Sequence, residues 1–203
     1  MIMRIEKTEI EGLFVLRPSI FKDERGYFFE SYNQRTYEEL NINPLFVQDN
    51  ESLSNKGTVR GLHFQKGRYA QAKLVRCSKG EILDVAVDLR VNSSTFGRWF
   101  SIVLSEENKK RLYIPRGFAH GFSVLSETAI FNYKCDNYYH KASESGIVFN
   151  DGTLNIDWRV KNPIISEKDK ELKNFSQLKP EDLSYSTIGL GDDAPANGEI
   201  RIN

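Results

Sequence analysis

Residues 73–90 read KLVRCSKGEILDVAVDLR, and the second half of this segment alternates strictly between two faces. One face is wholly apolar and consists of Leu83, Val85, Val87 and Leu89. The other face mixes apolar side chains with carboxylates and consists of Ile82, Asp84, Ala86 and Asp88. A period of two residues predicts a β-strand. We therefore expect two carboxylates on a sheet surface that is not wholly polar.

Most of the first 150 residues also have patterns that are typical of β-strands. GRWFSIVLS at 97–105 reads as a strand, and GFSVLSETAIFNYKC at 121–135 alternates again around a polar break. The second of these puts three side chains on one face, namely Ala129, Phe131 and Tyr133. Near the N-terminus the charged turn KDERG at 22–26 separates two aromatic-rich runs, which predicts a hairpin.

Helical patterns are few and short. QRTYEELNI at 34–42 and SEKDKELKNFSQL at 166–178 each suit a short helix, and no long amphipathic helix separates the strands. Many short strands joined by turns are typical of an antiparallel sandwich or barrel. The sequence therefore predicts an all-β (mainly β) fold with a few short helices.

Length and composition limit the organisation and the partners. The 203 residues predict one domain over 1–179, followed by a C-terminal tail over 180–203 that is not a separate domain. Lys plus Arg and Asp plus Glu both number 28, so the basic excess of a general nucleic-acid binder is missing. No apolar run is long enough to cross a membrane. We also expect Cys77 and Cys135 to be buried thiols in a reducing cytoplasm.

Three histidines are the first candidates for chemistry, although any one histidine is more often structural. His63 lies in VRGLHFQ at 59–65, His140 follows two tyrosines, and His120 lies in IPRGFAHGF at 114–122. The spacing of Pro115, Gly117 and His120 is similar to the second motif of cupin domains, which are small jelly-roll barrels. A metal-binding cupin also needs histidines in its first motif, and residues 80–90 contain none. The sequence therefore predicts no metal site.

Cations and aromatic residues supply a second set of candidates. Arg25, Arg60 and Lys73 are suited to surround a diphosphate, or they are simply solvated surface charges. NYKCDNYY at 132–139 is suited to stack on a base or to donate protons, or else its aromatic rings pack in the core. Composition alone leaves both alternatives open.

Eight segments together resemble one family, dTDP-4-dehydrorhamnose 3,5-epimerase. They are 24–33 (ERGYFFESYN), 46–50 (FVQDN), 59–65, 71–90, 94–99 (STFGRW), 104–122, 125–134 and 162–169 (NPIISEKD). They keep the family's order and nearly its spacing, and they cover roughly residues 5–170. Eight ordered motifs are far more specific than any single one.

The resemblance implies a metal-free cupin jelly roll that needs no cofactor, is usually a homodimer and works in the cytoplasm. The implied reaction inverts C3 and C5 of dTDP-4-keto-6-deoxy-D-glucose and gives dTDP-4-keto-L-rhamnose, in dTDP-L-rhamnose biosynthesis. By resemblance His63 is the general base, Asp169 holds its imidazole, Tyr133 is the acid on the opposite face, and Lys73 lies near the ketone oxygen. The implied nucleotide-sugar site consists of Arg25, Glu30, Gln48, Asn50, Arg60, His120, Tyr139, Glu144 and Lys168, with Tyr139 stacked on thymine.

The residue types agree with this chemistry. Removing a proton from a carbon beside a ketone leaves an enolate, which a nearby ammonium stabilises. Histidine titrates near neutral pH and is therefore suited to take the proton. Three alternatives stay open: a single-centre epimerase or 3,4-ketoisomerase on a related dTDP-4-keto sugar, a non-catalytic jelly roll that binds a sugar or nucleotide, and a metal-dependent cupin. The missing first-motif histidines disfavour the last.

Overall fold

The structure is a computed structural model that describes residues 3–40, 42 and 45–183. The strands, in chain order, are β1 (Met3–Lys7), β2 (Phe14–Pro18), β3 (Phe21–Asp23), β4 (Gly26–Phe28), β5 (Gln48–Asn55), β6 (Val59–Gln65), β7 (Lys73–Lys79), β8 (Glu81–Asp88), β9 (Trp99–Ser105), β10 (Arg111–Ile114), β11 (Phe118–Val124), β12 (Thr128–Cys135) and β13 (Glu144–Gly146). The α-helices are α1 (Gln34–Glu39), α2 (Glu167–Lys170) and α3 (Pro180–Leu183), and two 3-10 turns lie at Lys141–Ser143 and Phe175–Gln177.

Two antiparallel sheets form the body. The larger has six strands in the order β1-β2-β10-β7-β12-β5, and the smaller has five in the order β13-β6-β11-β8-β9. A separate two-stranded sheet is the hairpin β3–β4. The predicted mainly β fold with short helices is confirmed, and the hairpin falls at the turn that the charged segment 22–26 predicts.

The main core lies between the two sheets. It takes the inward faces of β7, β10 and β12 from one sheet and of β8, β9 and β11 from the other, with buried side chains that include Val75, Leu112, Phe131, Ile82, Leu104 and Phe122. The predicted common face of β12 is confirmed, because Ala129 and Phe131 are buried in this core and Tyr133 packs against it.

Strand β8 separates two packed layers, as its alternation predicts. Ile82 and Ala86 face the core between the sheets, whereas Leu83, Val85 and Val87 face a second layer built by residues after β13. Trp158 is the large buried side chain in that second layer. Both carboxylates on the mixed face, Asp84 and Asp88, are fully buried. A buried carboxylate requires partners.

The 166–178 segment contains less helix than the sequence predicts. Ser166 caps α2 by accepting the Asp169 N–H, and the helix ends at Lys170. Lys173 then pairs with Ile147, and its carbonyl accepts the Val148 N–H, so backbone pairing takes the chain out of the helix. The second part of the predicted helix is therefore only a 3-10 turn.

Helix α3 lies at the start of the predicted tail and packs on the body. Asp182 is buried and accepts hydrogen bonds from Lys66 Nζ at 3.2 Å and Lys173 Nζ at 3.1 Å. Residues 184–203 lie outside the described residues, so the boundary at residue 179 stays a prediction. In the part of the chain that the structure describes, no helix has the length and apolar character to cross a membrane.

Candidate active site

A cavity of about 860 Å³ opens between the two sheets and is closed on one side by α2. Its volume lies within the range of about 300–1,000 Å³ that is typical of small-molecule sites. Eight of the thirteen predicted site residues line it: Asn50, Arg60, His63, Lys73, His120, Tyr133, Lys168 and Asp169. The folded chain therefore brings together all four residues to which the resemblance gives a catalytic role.

The His63 imidazole is paired with a buried carboxylate. His63 Nε2 lies 2.7 Å from Asp169 Oδ1, and the Gly61 N–H donates to Asp169 Oδ2 at 3.2 Å. Burial alone would raise the pKa of Asp169, but the bonds from His63, Gly61 and Ser166 lower it overall. Asp169 therefore stays ionised and fixes the orientation of the imidazole, whose other nitrogen is free to act on a substrate.

A β-bulge positions His63 beside His120. The two histidines are register partners on β6 and β11, and the register shifts immediately beyond them. Gly61 lies in this bulge with a φ of +108°, and a Cβ on it would lie 2.6 Å from the His120 carbonyl oxygen. Only glycine fits at that close approach.

Tyr133 and Lys73 come from the opposite wall. Both lie on the six-stranded sheet, and Lys73 Nζ is 5.9 Å from the centre of the Tyr133 ring. Burial raises the pKa of Tyr133, so its phenol stays protonated at neutral pH. Burial lowers the pKa of Lys73, against the opposing effects of Cys135, Asp84 and Glu144. Among the described residues Lys73 Nζ has no hydrogen bond or ion pair.

Sequence reasoning missed one polar neighbour of a cavity residue, Asp84. His120 Nε2 lies 3.1 Å and 2.9 Å from the two Asp84 carboxylate oxygens, and both side chains are buried. The His120 ring also stacks on Phe131, with 5.7 Å between centroids. The only signal for this pair was a carboxylate on the half-apolar face of β8.

Three more predicted residues lie at the rim of the cavity. Glu144 accepts hydrogen bonds from Lys168 Nζ at 2.6 Å and from the Tyr139 hydroxyl at 2.8 Å. Burial tends to raise the pKa of Glu144, but these two bonds lower it overall. Gln48 donates to Asn50 Oδ1 at 2.9 Å and accepts the Tyr139 N–H at 3.2 Å. One network therefore connects the lining residues to Tyr139, whose ring is exposed.

The remaining two predicted residues, Arg25 and Glu30, are not brought to this cavity. Arg25 lies in the turn of the β3–β4 hairpin, exposed and paired with Asp23. Glu30 accepts from Asn33 Nδ2 at 3.0 Å and from the Thr36 hydroxyl at 3.4 Å beside α1. Neither residue lines the cavity of its own chain or bonds to the residues at its rim.

Among residues 3–40, 42 and 45–183, no group of three or more His, Cys, Asp or Glu side chains is placed to hold a metal ion. Cys77 and Cys135 are buried and unpaired with each other, and burial raises their pKa values to about 12 and about 11. Both are buried thiols, as expected.

Comparison with known proteins identifies the family of this chain. The family model for dTDP-4-dehydrorhamnose 3,5-epimerase matches residues 7–177. An enzyme of that name from Shigella flexneri is 54% identical over 174 residues, covering 85% of this chain and 96% of the relative. The Escherichia coli (strain K12) enzyme is 51% identical over 178 residues, covering 87% of this chain and 96% of its own length.

A solved structure supports the same assignment. The dTDP-6-deoxy-D-glucose-3,5-epimerase of Legionella pneumophila, in complex with dTDP-4-keto-L-rhamnose, superimposes with a TM-score of 0.87 at 47% identity. The match covers 92% of this chain and 100% of that one. The jelly-roll architecture is therefore shared, and the chain belongs to the dTDP-4-dehydrorhamnose 3,5-epimerase family of isomerases.

Proposed function

We propose that the cavity binds dTDP-4-keto-6-deoxy-D-glucose and inverts C3 and C5, giving dTDP-4-keto-L-rhamnose for dTDP-L-rhamnose biosynthesis. One observation carries this proposal. His63 on β6 and Tyr133 on β12 come from the two opposed sheets, Asp169 on α2 is paired with His63, and all three line the same cavity. A base on one wall and an acid on the other is the arrangement that inversion of a carbon centre requires.

The first step is removal of the proton at a carbon next to the C4 ketone. His63 takes this proton, and the electron pair moves into an enolate with its charge on the former carbonyl oxygen. Lys73 is a cation with no partner among the described residues, so its ammonium is available to stabilise that charge. Asp169 stabilises the imidazolium that forms, since its carboxylate already lies 2.7 Å from His63 Nε2.

The second step returns a proton to the opposite face of the same carbon. Tyr133 donates its phenolic proton, the enolate collapses to the ketone, and the configuration is inverted. His63 is then left protonated and Tyr133 is left as a phenolate. Burial raises the pKa of Tyr133, so the phenolate regains a proton from solvent readily while His63 releases one. The pair is thereby reset for the second carbon.

The residues at the mouth of the cavity are suited to bind the nucleotide part of the substrate. Arg60 is exposed at the mouth and is held by a bond from its Nε to Ser54 Oγ at 3.0 Å. Guanidinium and ammonium groups suit diphosphate oxygens, and Arg60 and Lys168 both line the cavity. The Tyr139 ring is about half exposed (51%) and available to stack on thymine.

A histidine replacement tests this function. His63→Ala is expected to lower turnover of dTDP-4-keto-6-deoxy-D-glucose by roughly 10²–10⁴-fold, because a positioned base is lost. His140→Ala is the matched control, because His140 stacks on Tyr69 and does not line the cavity. Calorimetry should show unchanged dTDP binding in both variants. A folded His63→Ala enzyme with near-wild-type turnover would remove the proposed base.

We also propose that the chain works as a homodimer in which the hairpin completes the partner's cavity. Phe21, Tyr27 and Phe28 on the hairpin are 58%, 56% and 70% exposed, and apolar exposure of this extent marks an interaction surface. The hairpin also carries Arg25, one of the predicted nucleotide ligands that its own cavity lacks. A dimer explains both observations.

The proposed location is the cytoplasm. Two buried cysteines that form no disulfide are typical of a reducing compartment.

A further inference from the structure

Helix α3 packs against the end of the two sheets at which Lys73 lies. Lys73 begins β7, Gln65 ends β6 and Phe118 begins β11, and these three residues surround a second cavity together with Asp182 and Leu183 of α3. The family model matches residues 7–177, whereas α3 begins at residue 180. The helix therefore lies outside the matched region, and the proposed reaction gives it no role.

The second cavity is very small and shares Lys73 with the large one. It measures about 10 Å³, which is at the lower limit of about 10–15 Å³ for holding a single water molecule. Lys73 lines both cavities, so its side chain lies between the space for the substrate and the region covered by α3. A substrate in the large cavity would keep water from one side of Lys73, and α3 keeps it from the other.

The polar side chains around the small cavity are engaged with groups other than Lys73. Gln71 Nε2 donates to the Asn137 carbonyl at 2.8 Å, and Gln65 Oε1 accepts the His140 N–H at 3.2 Å. Solvent would be the simplest source of a further partner for the Lys73 ammonium on this side. The position of α3 therefore decides how well that ammonium is hydrated.

A buried carboxylate holds α3 in place. Asp182 Oδ1 accepts from Lys66 Nζ, and Oδ2 accepts from Lys173 Nζ and from the Lys179 N–H at 3.2 Å. Burial tends to raise the pKa of Asp182, but these bonds lower it overall, so the carboxylate is ionised. The Leu183 side chain packs into the apolar layer outside β8. A charged residue and an apolar residue thus fix the helix against the body.

We propose that α3 belongs to the catalytic unit and closes the site behind Lys73, with Asp182 and Leu183 as positioning residues that keep water from its ammonium. The inference rests on the proposed function, in which that ammonium stabilises the enolate. A cation stabilises developing charge more strongly where water is excluded, because water screens the interaction. The functional domain then extends to at least residue 183.

The direction of the pH effect follows from hydration. Water that reaches Lys73 stabilises its charged form, so the alkaline limb of kcat moves to higher pH when α3 no longer closes the site. Removal of the Asp182 charge alone has the opposite sign, because a nearby anion favours the ammonium. The other titratable groups facing Lys73 are His63, Asp84, His120, Tyr133, Cys135 and Glu144, and the variants below leave all of them in place.

The test compares pH profiles of kcat in the full chain at saturating dTDP-4-keto-6-deoxy-D-glucose. For Leu183→Ala and Asp182→Ala we expect kcat at neutral pH to fall by roughly tenfold, KM to change little, and the alkaline limb to move to higher pH. Leu178→Ala is the matched control, because Leu178 packs in the same apolar layer but lines neither cavity. Its profile should match that of the wild type.

A second measurement does not depend on turnover. Lys73 is labelled with acetic anhydride over a range of pH with saturating dTDP present, and mass spectrometry gives the pH midpoint of labelling. We expect this midpoint to move to higher pH in Leu183→Ala and Asp182→Ala and to stay unchanged in Leu178→Ala. Circular dichroism verifies folding, and if Asp182→Ala does not fold, Leu183→Ala decides alone.

Three results would overturn the proposal. They are an unchanged labelling midpoint in Leu183→Ala, an equal shift in Leu178→Ala, and a shift to lower pH in Asp182→Ala, which would mean that Asp182 acts only through its charge. A wild-type protein without turnover would count against the proposed function, and the labelling midpoints would still decide whether α3 closes the site.

Discussion

At the scale of single residues, two of the four side chains assigned to catalysis lie in environments that give them opposite protonation states. Asp169 is a carboxylate that hydrogen bonds keep ionised, and Tyr133 is a phenol that burial keeps protonated. Their roles follow from these protonation states, because a group that holds an imidazolium must be negative and a group that donates a proton must have one. A replacement that keeps the shape of the side chain but removes its charge or its acidic proton therefore tests each role.

Asp169→Asn is such a replacement. The amide keeps the size of the side chain but lacks the charge, so the imidazolium that forms on His63 loses its stabilisation. We expect kcat to fall by roughly 10²–10⁴-fold, the range for general-base catalysis, with dTDP binding retained. Glu167→Gln is the control on the same helix, because Glu167 is exposed and pairs only with Lys170 among the described residues. Steady-state kinetics that show equal loss in both variants would contradict the assignment.

The lowered pKa of Lys73 predicts where kcat/KM falls on the alkaline side of its pH profile. Burial lowers the pKa of Lys73, so its ammonium is lost at a lower pH than that of a free lysine. If this cation stabilises the enolate, kcat/KM falls as pH rises through the lowered pKa, below the ordinary value of about 10.4. Burial raises the pKa of Tyr133, so the phenol keeps its proton to a higher pH than a free tyrosine does.

A variant that preserves the positive charge at position 73 tests whether Lys73 causes the alkaline fall in kcat/KM. Arginine keeps its proton past pH 12, so Lys73→Arg should retain some activity and move the alkaline limb to higher pH. Lys134 lies on the face of the sheet opposite to Tyr133 and the cavity. Lys134→Arg should therefore leave the alkaline limb unchanged. An unmoved limb in Lys73→Arg would show that another group controls the alkaline fall in kcat/KM.

At the scale of elements, the alternation of side chains along a strand predicts the structure better than the helical patterns do. The two faces of β8 follow directly from its sequence, since side chains on a strand must alternate. The short helix after Ser166 was overestimated because pairing between Lys173 and Ile147 is a tertiary effect that no local pattern contains. The Asp84–His120 pair was missed for the same reason, since its members are 36 residues apart in sequence.

The bulge between β6 and β11 gives a prediction at this scale. Gly61→Ala would place a Cβ 2.6 Å from the His120 carbonyl oxygen and 2.7 Å from Gly121 Cα, at a φ that alanine rarely adopts. We expect it to lower the free energy of unfolding by more than about 1 kcal/mol and to reduce turnover, because His63 and His120 flank the bulge. Gly152→Ala, where a Cβ would meet nothing within 4 Å, is the control for urea denaturation. Equal denaturation midpoints would show that the strands can separate without cost.

At the scale of the whole molecule, one chain leaves its predicted site incomplete. Eight predicted residues line the cavity, three are at its rim, and Arg25 and Glu30 lie elsewhere. A resemblance assigns residues to a site but does not say which subunit supplies them. Sequence could therefore predict the set of residues but not its division between chains.

Complementation tests that division. Arg25→Ala and His63→Ala should each be nearly inactive alone. If Arg25 acts in the partner's cavity, refolding the two variants together at equal amounts makes about half of the dimers mixed, and each mixed dimer has one intact site. We therefore expect about a quarter of wild-type activity, since about a quarter of all sites are intact. No recovery, with mixed dimers verified by mass spectrometry, would place Arg25 outside the partner's site.

The central claim is that one base and one acid on opposed walls invert both carbons, and deuterium exchange measures this directly. Wild-type protein would be incubated with dTDP-4-keto-6-deoxy-D-glucose in deuterated water, and C3 and C5 followed by NMR beside Tyr133→Phe. We predict deuterium at both carbons and an L-configured product for the wild type. The Tyr133→Phe variant should retain exchange catalysed by His63 but lose inversion. Exchange at only one carbon of the wild type, or full inversion by Tyr133→Phe, would contradict the account.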